Sequence, residues 1–350
     1  MHIGALDGLR GMAALIVFTS HYTLLSGLLN GLLGSGSGQI GVMLFFCLSG
    51  YLMAHLYLDK KPTLSSVYTY LVRRFVRVVP LFYAVVISVF TFNSIFPDFN
   101  IGYPVKPLNL NSHLLFIRGV GALWTIPVEI QFYGIFCIFW IAIFGRRYLI
   151  MFIIVLLVFM YWNDPYWLNF ISRMRIFTPV LIYFFLGILA YCISDFHRRG
   201  LYDAIFTIFF IGAICLFPRI YESILGVDAR ELDGKLILSL WSNPLYMMTT
   251  FGLIYSLIHS KFWYNLFSKR LFSIFGKISY SFYIIHVPVL FIIKNYIPIK
   301  DFPITGFFIC LIATFLTALF SFICFERPSN RFLSKALLGP IEKPTPKPHN

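Results

Sequence analysis

The chain has 350 residues, of which 59% are apolar, 19% aromatic and only 12% charged, and its mean hydropathy is +0.81. Soluble globular proteins are about 45 to 50% apolar and about 25% charged, because their surface faces water. The composition therefore excludes an ordinary soluble domain and indicates a chain solvated by lipid. The formal charge of +14 does not indicate a nucleic-acid partner, since the basic residues lie between apolar segments and form no separate basic domain.

Apolar segments along the chain predict an all-α fold, a polytopic membrane helix bundle with about ten transmembrane helices. Roughly 20 apolar residues cross the hydrocarbon layer as a helix, whereas a β-barrel would show shorter alternating segments. The first segment has no small-residue cleavage site, so we expect a retained helix and not a signal peptide. The predicted spans are residues 12–29, 40–58, 78–96, 123–144, 149–162, 176–194, 204–217, 236–258, 272–293 and 302–325.

The charges of the connections predict the orientation. Lysine and arginine accumulate in cytosolic connections, and 18 of the 28 lie in alternate connections and at the C-terminal end, against nine on the opposite side. Both termini are therefore predicted to be cytosolic. We expect residues 1–335 to form one transmembrane domain and the proline-rich residues 336–350 a disordered cytosolic tail. The six cysteines lie in apolar segments without metal-ligand spacing, so they predict free thiols and no metal site.

Ionisable residues inside apolar spans are costly and are often functional. Arg10 and His21 are 11 residues apart and share one helix face, with His21 about 16 Å further into the membrane. Asp7 lies near the same face. A buried imidazole can act as a general base on a hydroxyl or attack an acyl group, but a hydrogen-bonded packing role for His21 stays equally open.

The fourth span begins with a polar stretch on the predicted outer side. Glu129 and Tyr133 are four residues apart and face the same way, close to Trp124. The carboxylate of Glu129 is a candidate to orient His21 or to bind a sugar hydroxyl beside Trp124. A carboxylate near the positive end of a helix dipole is the alternative interpretation.

A second polar stripe lies in the ninth span. Ser279, Tyr283 and His286 occupy positions i, i+4 and i+7 of one helix face, followed by Pro288, which can bend the helix. The stripe is a candidate wall of a substrate cavity, although hydrogen bonding between helices explains it at least as well.

Three arginines precede the third span. Arg73, Arg74 and Arg77 lie on the predicted cytosolic side, where guanidinium groups suit phosphate oxygens. Attraction to anionic lipid headgroups and a simple topology signal are equally good explanations of this cluster.

Together these motifs resemble the acyltransferase 3 family of integral membrane acyltransferases, and they occur in the family's order over most of the chain. The motifs that carry the resemblance are Leu6-Asp7-Gly8-Leu9-Arg10-Gly11 with His21, Gly41 to Tyr51 with Ser49-Gly50, Arg74 and Arg77 with Pro80, Trp124 through Glu129 to Tyr133, Ser279 through Tyr283 to His286 and Pro288, and Phe325-Glu326-Arg327-Pro328.

The resemblance implies an O-acyltransferase of the bacterial inner membrane that uses acyl-CoA, with acetyl as the default group, to modify a hydroxyl of a polysaccharide or lipopolysaccharide sugar. His21 matches the family's essential histidine and Arg10 its arginine partner. Arg74 and Arg77 match the arginines associated with acyl-CoA use, and Glu129 matches the outer-side acid. Larger members carry a further extracytoplasmic domain, so we expect the membrane domain itself to modify the acceptor here.

Several alternatives stay open at this stage. Direct transfer by His21 as general base and an acyl-His21 intermediate both fit. A transporter of a lipid-linked glycan or acyl group would use the polar stripes as a pathway and form no bond. A membrane assembly partner would use them only to hold helices together. The expected partners are acyl-CoA, a glycan or lipid-linked glycan acceptor and the lipid bilayer, while a homo-oligomer stays open.

Overall fold

The structure, a computed structural model, describes residues 4–34, 36–146, 149, 180–195, 197–225 and 240–339, and within these ranges it is helical without a β-strand. Residues 150–162 of the predicted fifth span, the first residues of the sixth and eighth, and residues 340–350 of the predicted tail lie outside them. The helices are α1 (Gly4–Ser26), α2 (Gly38–Met53), α3 (Leu64–Ile95), α4 (Pro107–Leu114), α5 (Thr125–Ile143), α6 (Leu181–Cys192), α7 (Leu201–Cys215), α8 (Pro218–Leu225), α9 (Pro244–His259), α10 (Phe262–Phe267), α11 (Arg270–Tyr296), α12 (Pro303–Ser321) and α13 (Arg327–Leu338).

Length and hydropathy support a membrane protein. In the described part of the chain, five helical stretches are long and apolar enough to cross a bilayer, and a bent pair formed by α7 and α8 makes up to six. The other described helices are too short or carry too many polar residues for that test, so the count of ten spans stays a prediction. The five stretches are Gly38–Leu58, Leu64–Ile95, Gly121–Ile143, Arg270–Tyr296 and Pro303–Leu338.

Helix ends differ from the predicted spans where local backbone chemistry sets them. The first helix ends at Ser26 and not at residue 29, because Gly27 adopts a left-handed φ of 73° that terminates it. The third helix begins at Leu64 and not at residue 78, because Thr63 and Ser66 form a capping box there. The last helix continues to Leu338, past the predicted domain boundary at residue 335.

Close helix contacts fix the centre of the bundle. Helix α1 packs along α11 and α2, and α2 packs along α6. At the α2–α6 crossing, a Cβ on Gly50 would collide with the backbone carbonyl of Phe184, and one on Gly187 would collide with that of Cys47. Small residues at such crossings let helix backbones approach closely. The tight crossing holds α2 in place beside α1, where the polar residues lie.

Two of the basic connections lie at the same end of the molecule. The hydroxyl of Tyr191, at the end of α6, donates a hydrogen bond to Asp59, which follows the α2 segment. The connections after these two helices therefore lie at the same end, and they carry Lys60, Lys61, Arg198 and Arg199. This grouping fits the charge asymmetry of membrane proteins, and the assignment of that end to the cytosol stays a prediction.

Candidate active site

A cavity lined by three arginines lies between α1, α2, α3, α5 and α11. We call it the arginine cavity, and it encloses about 660 Å³ of space between atoms, including the solvent space at its mouth. Its polar lining residues are Arg10, Ser49, Arg74, Arg77, Thr125, Glu129, Tyr133, Ser279, Tyr280 and Tyr283. The structure thus brings together residues from five helices that the sequence placed in separate motifs.

The three arginines of this cavity differ in their surroundings. Arg10 forms an ion pair with Asp7 at 3.7 Å, and its side chain is only 11% exposed. The Nε of Arg74 is buried and has no hydrogen-bond partner among the described residues. Arg77 is exposed at the rim. The neighbouring Arg73 is also exposed but does not line the cavity, because its place on α3 turns it away.

Glu129 is held by hydrogen bonds inside the arginine cavity. Its Oε1 accepts hydrogen bonds from the Ser49 hydroxyl at 3.1 Å and from the Tyr133 hydroxyl at 2.6 Å. The backbone of Tyr133 is fixed in turn by the hydroxyl of Tyr70, which donates to its carbonyl at 2.9 Å. The described contacts of Glu129 therefore do not include His21. The carboxylate instead lines the same cavity as Arg10, Arg74 and Arg77.

His21 lines a second cavity, further along α1. We call it the histidine cavity, and it holds about 700 Å³ of space between atoms. Trp124 and Gln39 also line it, and the Oε1 of Gln39 is buried without a partner among the described residues. An indole and a free amide oxygen next to an imidazole suit a ligand with hydroxyl groups.

His21 also contacts a second histidine. The Nδ1 of His21 lies 2.7 Å from the Nε2 of His286, and the Nδ1 of His286 lies 2.5 Å from the carbonyl oxygen of Tyr283. His286 is 1% exposed, so it lies behind His21 and lines neither of the two cavities. Of the predicted stripe, only Ser279 and Tyr283 face a cavity.

The two cavities share a wall. Val42 of α2 and Tyr283 of α11 line both. The Tyr283 ring packs edge-on against Phe45, with centroids 5.6 Å apart, and its hydroxyl donates to the carbonyl of Ala122 at 3.0 Å. A molecule in the arginine cavity is therefore separated from His21 by two side chains.

Sequence reasoning missed several polar residues at these sites, among them Gln39, Ser49 and Tyr280. Gln39 and Ser49 lie on α2, and Tyr280 lies on α11 beside the arginine cavity. Ser49 and Tyr280 stand inside motifs that carry the family resemblance, and that position was the available signal. Gln39 lies two residues before the motif that runs from Gly41 to Tyr51. In the described part of the chain, no group of three or more His, Cys, Asp or Glu side chains is arranged to hold a metal ion.

The sequence model of the acyltransferase 3 family, which is described as an acyltransferase domain, matches residues 3–326 of this chain. The match covers both cavities and all the helices that line them. The chain belongs to the acyltransferase 3 family. Family membership accounts for the order of the motifs, from Arg10 and His21 in α1 to Glu326 after α12.

Proteins with similar sequences are named as O-acetyltransferases. Proteins of Staphylococcus aureus strains COL, MSSA476 and MRSA252, each named "Putative O-acetyltransferase", are 26% identical to this chain over 377 residues. The match covers 96% of this chain and 58% of each relative, so the chain spans somewhat more than half of their length. No solved structure matches it.

Proposed function

We propose that this chain is an O-acyltransferase that moves an acyl group, acetyl by default, from cytosolic acyl-CoA to a hydroxyl of an envelope polysaccharide or lipopolysaccharide sugar, with His21 as general base. Membership in the acyltransferase 3 family and the names of the relatives support acyl transfer. The observation that carries the proposal is the pair of cavities at two depths along α1, one cationic and one containing the imidazole, which share Val42 and Tyr283.

The arginine cavity is the proposed donor side. Acyl-CoA carries several phosphate charges on a long, flexible arm, and guanidinium groups bind phosphate through paired hydrogen bonds. Arg77 lies at the rim, where a phosphate group would arrive from the cytosolic end. The buried Nε–H of Arg74 has no hydrogen-bond partner among the described residues, and an oxygen of the acyl-CoA would accept that hydrogen bond. The thioester end then passes the wall of Val42 and Tyr283 to reach His21.

The histidine cavity is the proposed acceptor side. The Nε2 of His21 removes the proton of the acceptor hydroxyl, and the hydroxyl oxygen attacks the thioester carbonyl carbon. The carbon–sulfur bond breaks as the ester bond forms, and His21 returns its proton to the thiolate, which leaves as free CoA. The products are one O-acyl sugar and one CoA thiol. Gln39 and Trp124 would hold the sugar ring during the transfer.

Label transfer in membranes tests the proposal. Inverted membrane vesicles of the producing strain would receive acetyl-CoA labelled in the acetyl group, and label in the glycan fraction would be measured at protein levels matched by immunoblot. We expect the intact chain to label glycan and His21→Ala to reduce labelling by roughly 100-fold or more, which is the usual contribution of a general base. The control is His197→Ala, since that side chain is 77% exposed in a connection far from both cavities.

Full labelling by His21→Ala at normal protein level would contradict the assignment of His21. Mass spectrometry of the glycan from the same strains supplies an independent readout, because an O-acetyl group adds a fixed mass that mild alkali removes.

A carrier without bond formation is the second candidate. Broken helices are common in transporters, and the break between α7 and α8 is bent by 87°. The α7 and α8 helices contribute no residue to either cavity, which favours the enzyme. A carrier would move a labelled glycan or acyl group across the membrane and form no new covalent bond. Mild alkali releases acetate from an O-acetyl ester. Label that enters the vesicles and is not released as acetate would therefore favour the carrier.

A further inference from the structure

The contact between His21 and His286 joins two histidines that are 265 residues apart in sequence. The ring centroids lie 5.0 Å apart and the ring planes differ by 17°. Rings stacked face to face with a nitrogen–nitrogen distance of 2.7 Å would have much closer centroids. The two rings therefore meet edge to edge and nearly in one plane, which points a ring N–H of one imidazole at the in-plane lone pair of the other.

The surroundings of His286 decide which ring donates. The carbonyl oxygen of Tyr283 can only accept, so the Nδ1 of His286 carries a hydrogen. His286 is buried, and its described contacts include no carboxylate, so the neutral ring is favoured over an unpaired buried cation. In a neutral ring with a protonated Nδ1, the Nε2 is an acceptor. The hydrogen between the two rings therefore belongs to the Nδ1 of His21.

We propose that His286 is a positioning residue that fixes the Nδ1–H tautomer of His21 and so keeps the basic lone pair on Nε2, turned toward the histidine cavity. The inference rests on the proposed function, in which His21 is the general base. The nitrogen that is protonated in a catalytic histidine is set by the hydrogen bond that the other nitrogen makes. Once the Nε2 of His21 takes the acceptor's proton, His21 is an imidazolium. Its Nδ1–H still donates to the Nε2 of His286, and this hydrogen bond stabilises the positive charge.

Glutamine and leucine at position 286 separate this role from packing. The amide of His286→Gln offers an oxygen to the Nδ1–H of His21 and an N–H to the Tyr283 carbonyl, while His286→Leu offers neither. We expect His286→Leu to lower kcat for labelled acetyl transfer roughly 10- to 100-fold, because an unfixed imidazole loses much of its general-base contribution. We expect His286→Gln to keep most of kcat, and the KM for acetyl-CoA to stay unchanged in both variants, because the arginine cavity lies elsewhere.

His113 supplies the matched control. Its ring is also fully buried, with Nδ1 bonded to the Asn109 carbonyl at 2.7 Å and Nε2 accepting from the backbone N–H of Val120 at 3.1 Å. His113→Leu removes a buried histidine with the same bonding pattern and no contact with His21. We expect this variant to affect the amount of folded protein and not kcat per folded molecule.

The assay is labelled acetyl-CoA in membrane vesicles, with folded protein measured by size-exclusion chromatography in detergent. Full kcat in His286→Leu beside an inactive His21→Ala would overturn the positioning role and leave the general base in place. An active His21→Ala would instead overturn the assignment of His21 as general base, on which this inference rests. Equal loss in His286→Gln and His286→Leu would also overturn the role. The double variant of His21→Ala and His286→Leu is expected to be no slower than His21→Ala alone, because both act through one group; additive losses would contradict the inference.

Discussion

At the scale of single residues, two adjacent arginines make a direct test of the donor side. Arg74 and Arg73 are neighbours on α3, but only Arg74 lines the arginine cavity. We expect Arg74→Ala to raise the KM for acyl-CoA roughly 10- to 100-fold, since a hydrogen bond to a charged group contributes about 1.5 to 3 kcal/mol. Initial rates of labelled transfer against acetyl-CoA concentration measure the change.

The matched control is Arg73→Ala, which removes the same charge one residue away. We expect its KM to stay within a factor of about two, because an exposed charge far from a ligand is weakly felt through water and salt. Equal effects of the two variants would show that total basic charge at this end matters, and not the cavity.

Gln39 allows a similar test of the acceptor side. We expect Gln39→Leu to raise the KM for the glycan acceptor about three- to tenfold, because one neutral hydrogen bond contributes about 0.5 to 1.5 kcal/mol. The KM for acyl-CoA should not change. Transfer rates at varied amounts of purified envelope glycan in detergent measure both constants.

Gln131→Leu is the control for that change, since the Gln131 amide bonds the Phe116 carbonyl at 3.4 Å and lines neither cavity. A shift in the KM for acyl-CoA in Gln39→Leu would contradict the division of the two cavities between donor and acceptor.

At the scale of helices, the crossing of α2 and α6 supports both cavities. We expect Gly50→Ala to destabilise the bundle by roughly 1 to 3 kcal/mol, because the added Cβ meets the Phe184 carbonyl and forces the backbones apart. The midpoint of thermal unfolding in detergent, followed by the loss of the monodisperse size-exclusion peak, measures the effect.

Gly134 of α5 is the matched position, because nothing lies within 4 Å of a Cβ added there. Gly134→Ala should leave stability unchanged or raise it by up to about 1 kcal/mol, as alanine favours a helix over glycine. A similar loss in both variants would mean that helix propensity, and not the crossing, controls stability at these glycines.

The helices also explain where the predicted span boundaries failed. A hydropathy pattern places the start of the third span after Arg77, since charged side chains lower the average. The helix itself begins at Leu64, because the capping box at Thr63 satisfies its first N–H groups and the helical backbone tolerates arginines. This extension carries Arg74 into the arginine cavity.

At the scale of the whole molecule, orientation is testable by thiol labelling. Asp98 follows α3 at one end, and His197 lies in the connection after α6 at the other, next to the Asp59 contact of Tyr191. In a chain whose six cysteines are replaced, we expect Asp98→Cys to react with a membrane-impermeant maleimide in intact cells and His197→Cys to react only in inverted vesicles.

Both positions are exposed, so protection by protein does not explain a lack of labelling. Labelling of both from the same side would contradict the predicted topology and would move the arginine cavity to the outer face, where cytosolic acyl-CoA does not reach it.

The sequence by itself determined the helical membrane fold, the family and the polar residues worth testing, because hydrophobicity, helix capping and motif order are local properties of the chain. It placed Arg10, His21, Arg74 and Glu129 among those residues. Their grouping was decided only by the tertiary structure. Whether a side chain on one helix meets another depends on how the helix faces pack, and no local pattern encodes that. The packing of α1 against α11 therefore decided that His286 meets His21, and the packing around α2 decided that Glu129 binds Ser49 in a cavity separated from the imidazole.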